Sequence, residues 1–305
     1  MNPSLILGTA MWGWTVSEAT AFAVLDTFYQ YGFRQIDTAT NYPINKNPED
    51  FRKAEKILLQ WIKTHEINNL EIIIKVGSIN NLRTPEHNLS KSFLLLNLDD
   101  YHFQFDSNFH TYMIHWDNRD SENEIRETLE ALDEARKQGL HIGLSGIQHP
   151  EVYFKLNQEF QFDFRIQMKH NLLQSDYQRY TLFHGKPRFI TYGINAGGLK
   201  LNTSEYREDS SLKARGGTTD TPHPIANALQ KVLQEANQDT NRPKLISMNH
   251  IGMLYAYHSA DIEGILVGPS SSLQLHDTIK FYRSLQEFDY EEVFEKLKTS
   301  LTSDI

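Results

Sequence analysis

Eight times along the chain, a short apolar run of strand character is followed by a segment with helical spacing. This alternation constrains the fold more than any other feature, because strands joined through helices lie parallel in one sheet. Strands are expected at residues 5–7, 33–36, 71–75, 111–115, 140–144, 164–167, 188–192 and 264–267. Between them, apolar residues recur at helical period. Ser17 reads as an N-cap and Gly32 as a stop, with Ala21, Val24, Leu25 and Phe28 on one face. Further helices are expected over 50–63, 86–98, 122–138, from Pro150, after Asn171, and over 225–236, 244–258, 273–285 and 290–301. No Gly-x-Gly-x-x-Gly follows any strand, which argues against an open dinucleotide-binding sheet. Eight units with no compositional break predict an α/β fold, a (β/α)8 TIM barrel, as one domain over residues 1–305. The stretch 202–224 reads as a long loop after the seventh strand, either a functional lid or disordered, and helices close the chain.

In such a barrel the C-terminal strand ends share one face, and that face carries the active site. Read in order, those ends supply Asp37 with Tyr42 just beyond, Lys75, His115, Ser145, Gln167, Tyr192 and the run 268–272. Each polar group alone has an ordinary reading. Asp37 can start a turn, Lys75 can be a solvated cap, His115 can be structural, and Tyr42 can rest on Trp12. Together they supply the parts of one mechanism, proton transfer to a carbonyl oxygen. A free phenol titrates near pH ~10 and is a poor acid at neutrality. Lys75 beside Tyr42 is expected to favour the phenolate and lower that pKa, with Asp37 holding the ammonium in place. His115 can orient the carbonyl or help relay the proton. Such a site needs a hydride source, and a nicotinamide cofactor is the natural one.

The remaining composition excludes other chemistries. The net charge of −9 comes with no basic cluster, so neither nucleic acid nor an anionic membrane is an expected partner. With no cysteine there are no disulfides, thiolate chemistry or Cys-based zinc sites, which fits a cytoplasmic protein. Histidines at zinc-site spacing, His-Glu-x-x-His and paired carboxylates at the strand ends are all missing, so no metal is expected and a barrel hydrolase is disfavoured. The N-terminus lacks signal-peptide character, and no apolar run approaches the ~20 residues needed to span a bilayer.

The motifs Leu7-Gly8-Thr9, Ile36-Asp37-Thr38-Ala39, Asn41-Tyr42, Ile74-Lys75, Ile114-His115-Trp116, Gly143-Leu144-Ser145 and Gln167 with Asn171 follow one another along the chain. In kind and order they resemble the aldo-keto reductase superfamily over nearly the whole chain. The resemblance implies reduction of aldehydes, ketones or sugars by NADP(H) or NAD(H), without metal. It carries the catalytic tetrad over to Asp37, Tyr42, Lys75 and His115, with Tyr42 as general acid/base. It places nicotinamide-carboxamide contacts on Ser145 and Gln167, a stacking ring on Tyr192, and pyrophosphate contacts on the segment with Gly193, Gly197 and Leu199. Thr9 joins them from the first strand end, and the adenosine end falls on Gly268, Ser270, Ser271, Gln274 and Asp277. Trp12, Trp14 and Trp116 could wall a substrate pocket, and Asp117 and Asn118 could bond a sugar hydroxyl.

Two departures stand out. Gly146 occupies the place where the family usually has Asn after the carboxamide-binding serine, which removes one amide contact. Ser270 replaces the family's basic residue, although a ribose 2′-phosphate favours Arg or Lys. Lys200 or Arg215 could compensate, and NADH or dual use stays open. The intact tetrad points to an enzyme; the alternative is a nucleotide-sensing relative with little turnover.

Overall fold

A computed structural model describes residues 2–208, 210–221 and 223–302. Its strands are β1 (Ser4–Gly8), β2 (Gln35–Ala39), β3 (Glu71–Val76), β4 (Phe109–His115), β5 (His141–Ser145), β6 (Arg165–Lys169), β7 (Phe189–Tyr192) and β8 (Ile262–Val267). They pair in parallel, in chain order, and β8 returns to β1 to close the barrel. The (β/α)8 architecture expected from the alternation is therefore the one observed.

The helices are α1 (Glu18–Gln30), α2 (Lys53–Thr64), α3 (Lys91–Phe105), α4 (Glu122–Lys137), α5 (Pro150–Phe160), α6 (Ser211–Ala214), α7 (Ala226–Ala236), α8 (Met248–His258), α9 (Ser272–Glu287) and α10 (Glu291–Thr302). The long ones bury apolar faces, α10 against α7 and α8. In α4, Ile125, Leu129 and Leu132 are buried, Ser121 caps the start, and Arg136 and Lys137 oppose the dipole in the last turn. No helix among the described residues is long and apolar enough to cross a membrane.

Several boundaries differ from the sequence-based expectation, among them α2, which starts at Lys53, and α8, which starts at Met248. β2 runs on to Ala39, so Asp37 lies within the strand instead of after it. α3 begins at Lys91, not at residue 86, because the Asn88 carboxamide accepts from both the N–H and the hydroxyl of Ser90 and holds the chain extended. After β6 there is a 3-10 segment, Tyr177–Phe183, in place of an α-helix. The stretch 202–224 carries a capped turn at Thr203–Glu205 and the short α6; its residues 209 and 222 lie outside the described ones.

The strand register places the site. Side chains along a strand alternate between faces. Ile6, Ile73, Met113 and Ile190 form their own buried cluster inside the barrel. Two residues further along β3 and β4, on the same inward face, stand Lys75 and His115. Gly8, Asp37 and Ile73 are in register across β1–β3, and His115, Ser145 and Gln167 across β4–β6. The strand period thus lifts these polar groups one layer above the apolar plug, at the mouth.

Candidate active site

At the base of the mouth, the side chains of Asp37 and Lys75 are each 1 % exposed and form an ion pair. Gln167 donates its amide N–H to the other carboxylate oxygen, so Asp37 is held from two sides. Tyr42 sits above, half-buried, with its ring centroid 4.9 Å from the Lys75 ammonium. His115 meets the Tyr42 ring edge-on at 6.1 Å and lies against the Trp116 indole at 4.7 Å. The four residues converge although they come from three strands and a loop.

Electrostatics give each group a definite form. Burial alone would strip the Lys75 ammonium of its proton; Asp37 and then Tyr42 reverse this and hold its pKa above the ordinary value. Burial raises the Tyr42 pKa above 10, Lys75 pulls it down, and Asp37 pushes it up again. Lys75 thus lowers it as expected, but burial outweighs that pull and the net direction is upward. Tyr42 therefore rests as a neutral phenol, poised as an acid. Burial, reinforced by Lys75, pushes His115 well below 6.5, so its ring is neutral. Its Nδ1 is buried without a partner.

Above these groups opens a cavity of about 460 Å³. Its wall includes Asp37, Tyr42, His115, Ser145, Gln167, Tyr192, Gly193, Gly197, Gly268 and Gln274, together with Trp12 and Trp116. Trp12 Nε1 and Asn195 Oδ1, on residues of the same wall, are buried polar atoms without partners, as expected where a polar ligand is accepted. Ser270 and Ser271 lie off the wall but bond its residue Gln274: Ser271 caps α9 through the N–H of Gln274, and Ser270 donates to the Gln274 amide oxygen.

The residues 4–298 match the aldo/keto reductase family. The chain belongs to that family. It is also 37 % identical over 82 residues to an "Uncharacterized 11.2 kDa protein in crtE 3'region" of Pseudescherichia vulneris, across 25 % of this chain and 76 % of that one. Members of the family use NAD(P)H to interconvert carbonyls and alcohols, and membership makes this reductase-family chain an oxidoreductase.

Against that family background, several expected residues sit elsewhere than anticipated. Thr9 is fully buried, with its hydroxyl spent on Thr38, and it does not reach the cavity wall. Leu199 is buried off the wall as well, and Asp277 accepts from His250 at 2.9 Å. Asp117 is no partner for a sugar hydroxyl: it is fully buried and bound by Arg119 at 2.9 Å and by the Tyr153 hydroxyl at 2.7 Å. Asn118 also lies off the wall. Trp14 is partly buried under the Arg83 guanidinium at 5.5 Å.

Both family departures acquire physical reasons. A Cβ on Gly146 would stand 2.6 Å from the Trp116 indole, and φ is +68° there; the indole takes the space an Asn would need. Trp116 itself has φ 60° and donates its backbone N–H to Ser145 at 2.8 Å. At Ser270, the cation brought close is Arg207, whose Nη2 donates to the Ser270 hydroxyl at 3.3 Å from the loop after β7. Arg215 lies instead against Met11 near Tyr42.

Sequence reasoning missed Ala10, Met11, Ile44, Lys169 and Asn249 on the wall, while Asn195 and Thr278 fall within the segments 193–199 and 268–278 expected to line it. Asn195 and Asn249 bond each other, and Asn249 bonds Thr278. Nothing in its spacing marks Asn249. The helix carrying Asn249 reaches the site because Gly252 lets the Ile194 carbonyl come within 2.2 Å of where a Cβ would be.

Proposed function

We propose that this protein is an NAD(P)H-dependent carbonyl reductase acting on aldehydes, ketones or sugars, with Tyr42 as the proton donor. The observation that carries the reading is the convergence of a buried Lys75–Asp37 pair beneath a phenol that remains protonated, with a neutral imidazole at its edge. Nicotinamide, when bound, supplies hydride to the carbonyl carbon. The protein supplies the other half. Tyr42 gives its proton to the carbonyl oxygen, and the phenolate left behind is stabilised by the Lys75 ammonium. Asp37, pinned by Lys75 and Gln167, fixes the ammonium in place. His115, neutral and buried, hydrogen-bonds the carbonyl oxygen and orients it towards the phenol. Trp12 and Trp116 form apolar walls that exclude water and bind the substrate.

The residues suit a nicotinamide dinucleotide. Ser145 and the free Oε1 of Gln167 are the partners for the carboxamide, and Tyr192 for the ring face. Gly193 and Gly197 cradle the pyrophosphate, and Gly268 and Gln274 on the wall, with Ser270 and Ser271 bonded to Gln274 behind them, take the adenosine. Arg207 beside Ser270 restores the cation that position 270 lacks, which favours NADPH over NADH. A cytoplasmic setting, where NADPH is available, fits the cysteine-free chain. Mixing protein, NADPH or NADH and an aromatic aldehyde tests the reading: nicotinamide absorbance at 340 nm should fall. Full activity in Tyr42→Phe would refute the assignment.

A further inference from the structure

The cavity is unevenly charged. Among the described residues on its wall, Asp37 is the one carboxylate, and both of its oxygens are already engaged. On the same wall stands Arg215, at the C-cap of α6. Its hydrogen bond is to Met11 Sδ at 3.5 Å, and among the described residues no carboxylate pairs with it. A thioether is a weak acceptor, and a guanidinium carries five donors. Arg83, in the loop between β3 and α3, is similarly placed. Its Nε donates to the carbonyl of Ile44, a wall residue, at 2.8 Å, and its guanidinium lies over Trp14. It too lacks a carboxylate partner among the described residues, and it adopts φ 63°, an uncommon backbone for a non-glycine residue.

Away from the cavity, Arg52, Arg119, Arg126 and Arg165 each bond a carboxylate at ion-pair distance, while Arg34 and Arg283 spend their donors on backbone carbonyls. Asp and Glu outnumber Lys and Arg by 39 to 30, so a shortage of acids does not explain two guanidinium groups without a carboxylate among the described residues, one on the cavity wall and the other, Arg83, bonded to the wall residue Ile44. Arg215 is solvent-exposed, as a residue at a mouth must be, and its pKa is lowered by burial of its charged end and by Arg83, against the opposing pull of Tyr42. The two cations therefore repel one another across the entrance. Loop anchoring would not need this arrangement; one good acceptor would serve better than sulfur. An anion placed between them would remove the repulsion and satisfy the idle donors.

We propose that Arg215 and Arg83 form an anion-recognition site at the cavity mouth, which holds a carboxylate on the substrate while its carbonyl meets Tyr42. The preferred substrates are then oxo-acids and aldehyde acids rather than neutral carbonyls. This rests on the carbonyl-reductase reading given above. Arginine suits the role because its planar fork matches a carboxylate in two parallel bonds and is weakly hydrated. The pyrophosphate of the cofactor shares this chemistry, so the test separates it from a substrate carboxylate.

The test compares kcat/KM for para-carboxybenzaldehyde with that for benzaldehyde, and for 4-oxobutanoate with that for butanal. The ratio within each pair is read, so any general loss of activity divides out. Wild type should favour the acid by about 10–100-fold in at least one pair, and Arg215→Gln with Arg83→Gln should bring that ratio close to one. Calorimetric titration with benzoate and with benzamide gives a readout that needs no turnover: benzoate should bind more tightly, and the double variant should lose the difference. A wild-type ratio of one or less, or a ratio unmoved by both substitutions, overturns the proposal. So does Arg215→Gln weakening NADPH binding while leaving the acid-to-neutral ratio intact, which would assign the guanidinium to the cofactor's pyrophosphate. If neither member of either pair oxidises NADPH, the reductase reading fails, and the benzoate titration still decides whether the anion site exists.

Discussion

The chemical corner and the nucleotide end of this cavity are built on different principles. The corner stands on β2, β3 and β4, with its charged pair sealed from solvent, Lys75 and His115 aimed by strand register, and Tyr42 added from the loop just after β2. The nucleotide end is assembled from the turn after β7, the loop after β8 and the helices α8 and α9, through bonds among small polar side chains. Proton transfer tolerates little displacement, so the ion pair beneath Tyr42 and the imidazole beside it sit on strands. Nucleotide recognition sums many modest contacts, so one can be lost and another supplied from elsewhere. That is the pattern at residues 146 and 270. The Trp116 indole fills the space beside Gly146, and Arg207 reaches Ser270 from another loop.

The largest expected effect tests the independence of the two regions. Tyr42→Phe should lower carbonyl turnover by about 10²–10⁴-fold and leave NADPH affinity, read by fluorescence quenching, close to wild type. An equal loss of affinity would show that the regions are not separable. Next comes the buried pair. Lys75→Met leaves the Asp37 carboxylate without its cation, and urea unfolding should show a loss of about 3–5 kcal/mol. Little loss would mean that Gln167 alone sustains Asp37.

Arg207→Gln addresses the nucleotide end. The ratio of NADPH to NADH affinity should fall by about 10–100-fold, measured as dissociation constants. If the ratio holds, the serine hydroxyls suffice for the 2′-phosphate. Gly146→Ala probes where the two regions touch. Its Cβ meets the Trp116 indole, whose ring lies against His115, and the backbone is left-handed there. A thermal scan should show destabilisation of about 1–3 kcal/mol, with reduced turnover transmitted through His115.

The smallest effect is in pH dependence. The reductive direction needs Tyr42 protonated and His115 neutral. The Tyr42 pKa is raised above 10, so activity is lost only as pH rises through that higher value. The His115 pKa is depressed well below 6.5, so loss on the acid side begins only far below it. The profile of kcat/KM should vary by less than about twofold between pH ~7 and ~9. A basic limb near neutrality would mean that Lys75 dominates the Tyr42 environment after all.

Much of the corner was legible in the linear chain, because strand alternation is local: Lys75 and His115 end apolar runs, and period two carries them above the inner layer of Ile73 and Met113. Asp37 was assigned to the right face even with its strand drawn too short. Thr9 and Asp277 were anticipated as cofactor residues by motif position alone, and their side chains are engaged by Thr38 and His250. Asn249 carried no signal, since a single polar residue in a helix reveals its neighbour only once the chain is folded.

By itself, the sequence determined the barrel, the order of its strands and the set of groups at its mouth. These depend on periodicities of two and 3.6 residues, which neighbouring side chains set between themselves. Only the tertiary structure decided the state of those groups. Whether Tyr42 rests as phenol or phenolate is a contest between burial and charge, both summed over residues distant in sequence. The placement of Arg207 beside Ser270 and of Arg215 beside Met11 depends on how one loop crosses the barrel mouth, and that path is set by long-range contacts that no local pattern records.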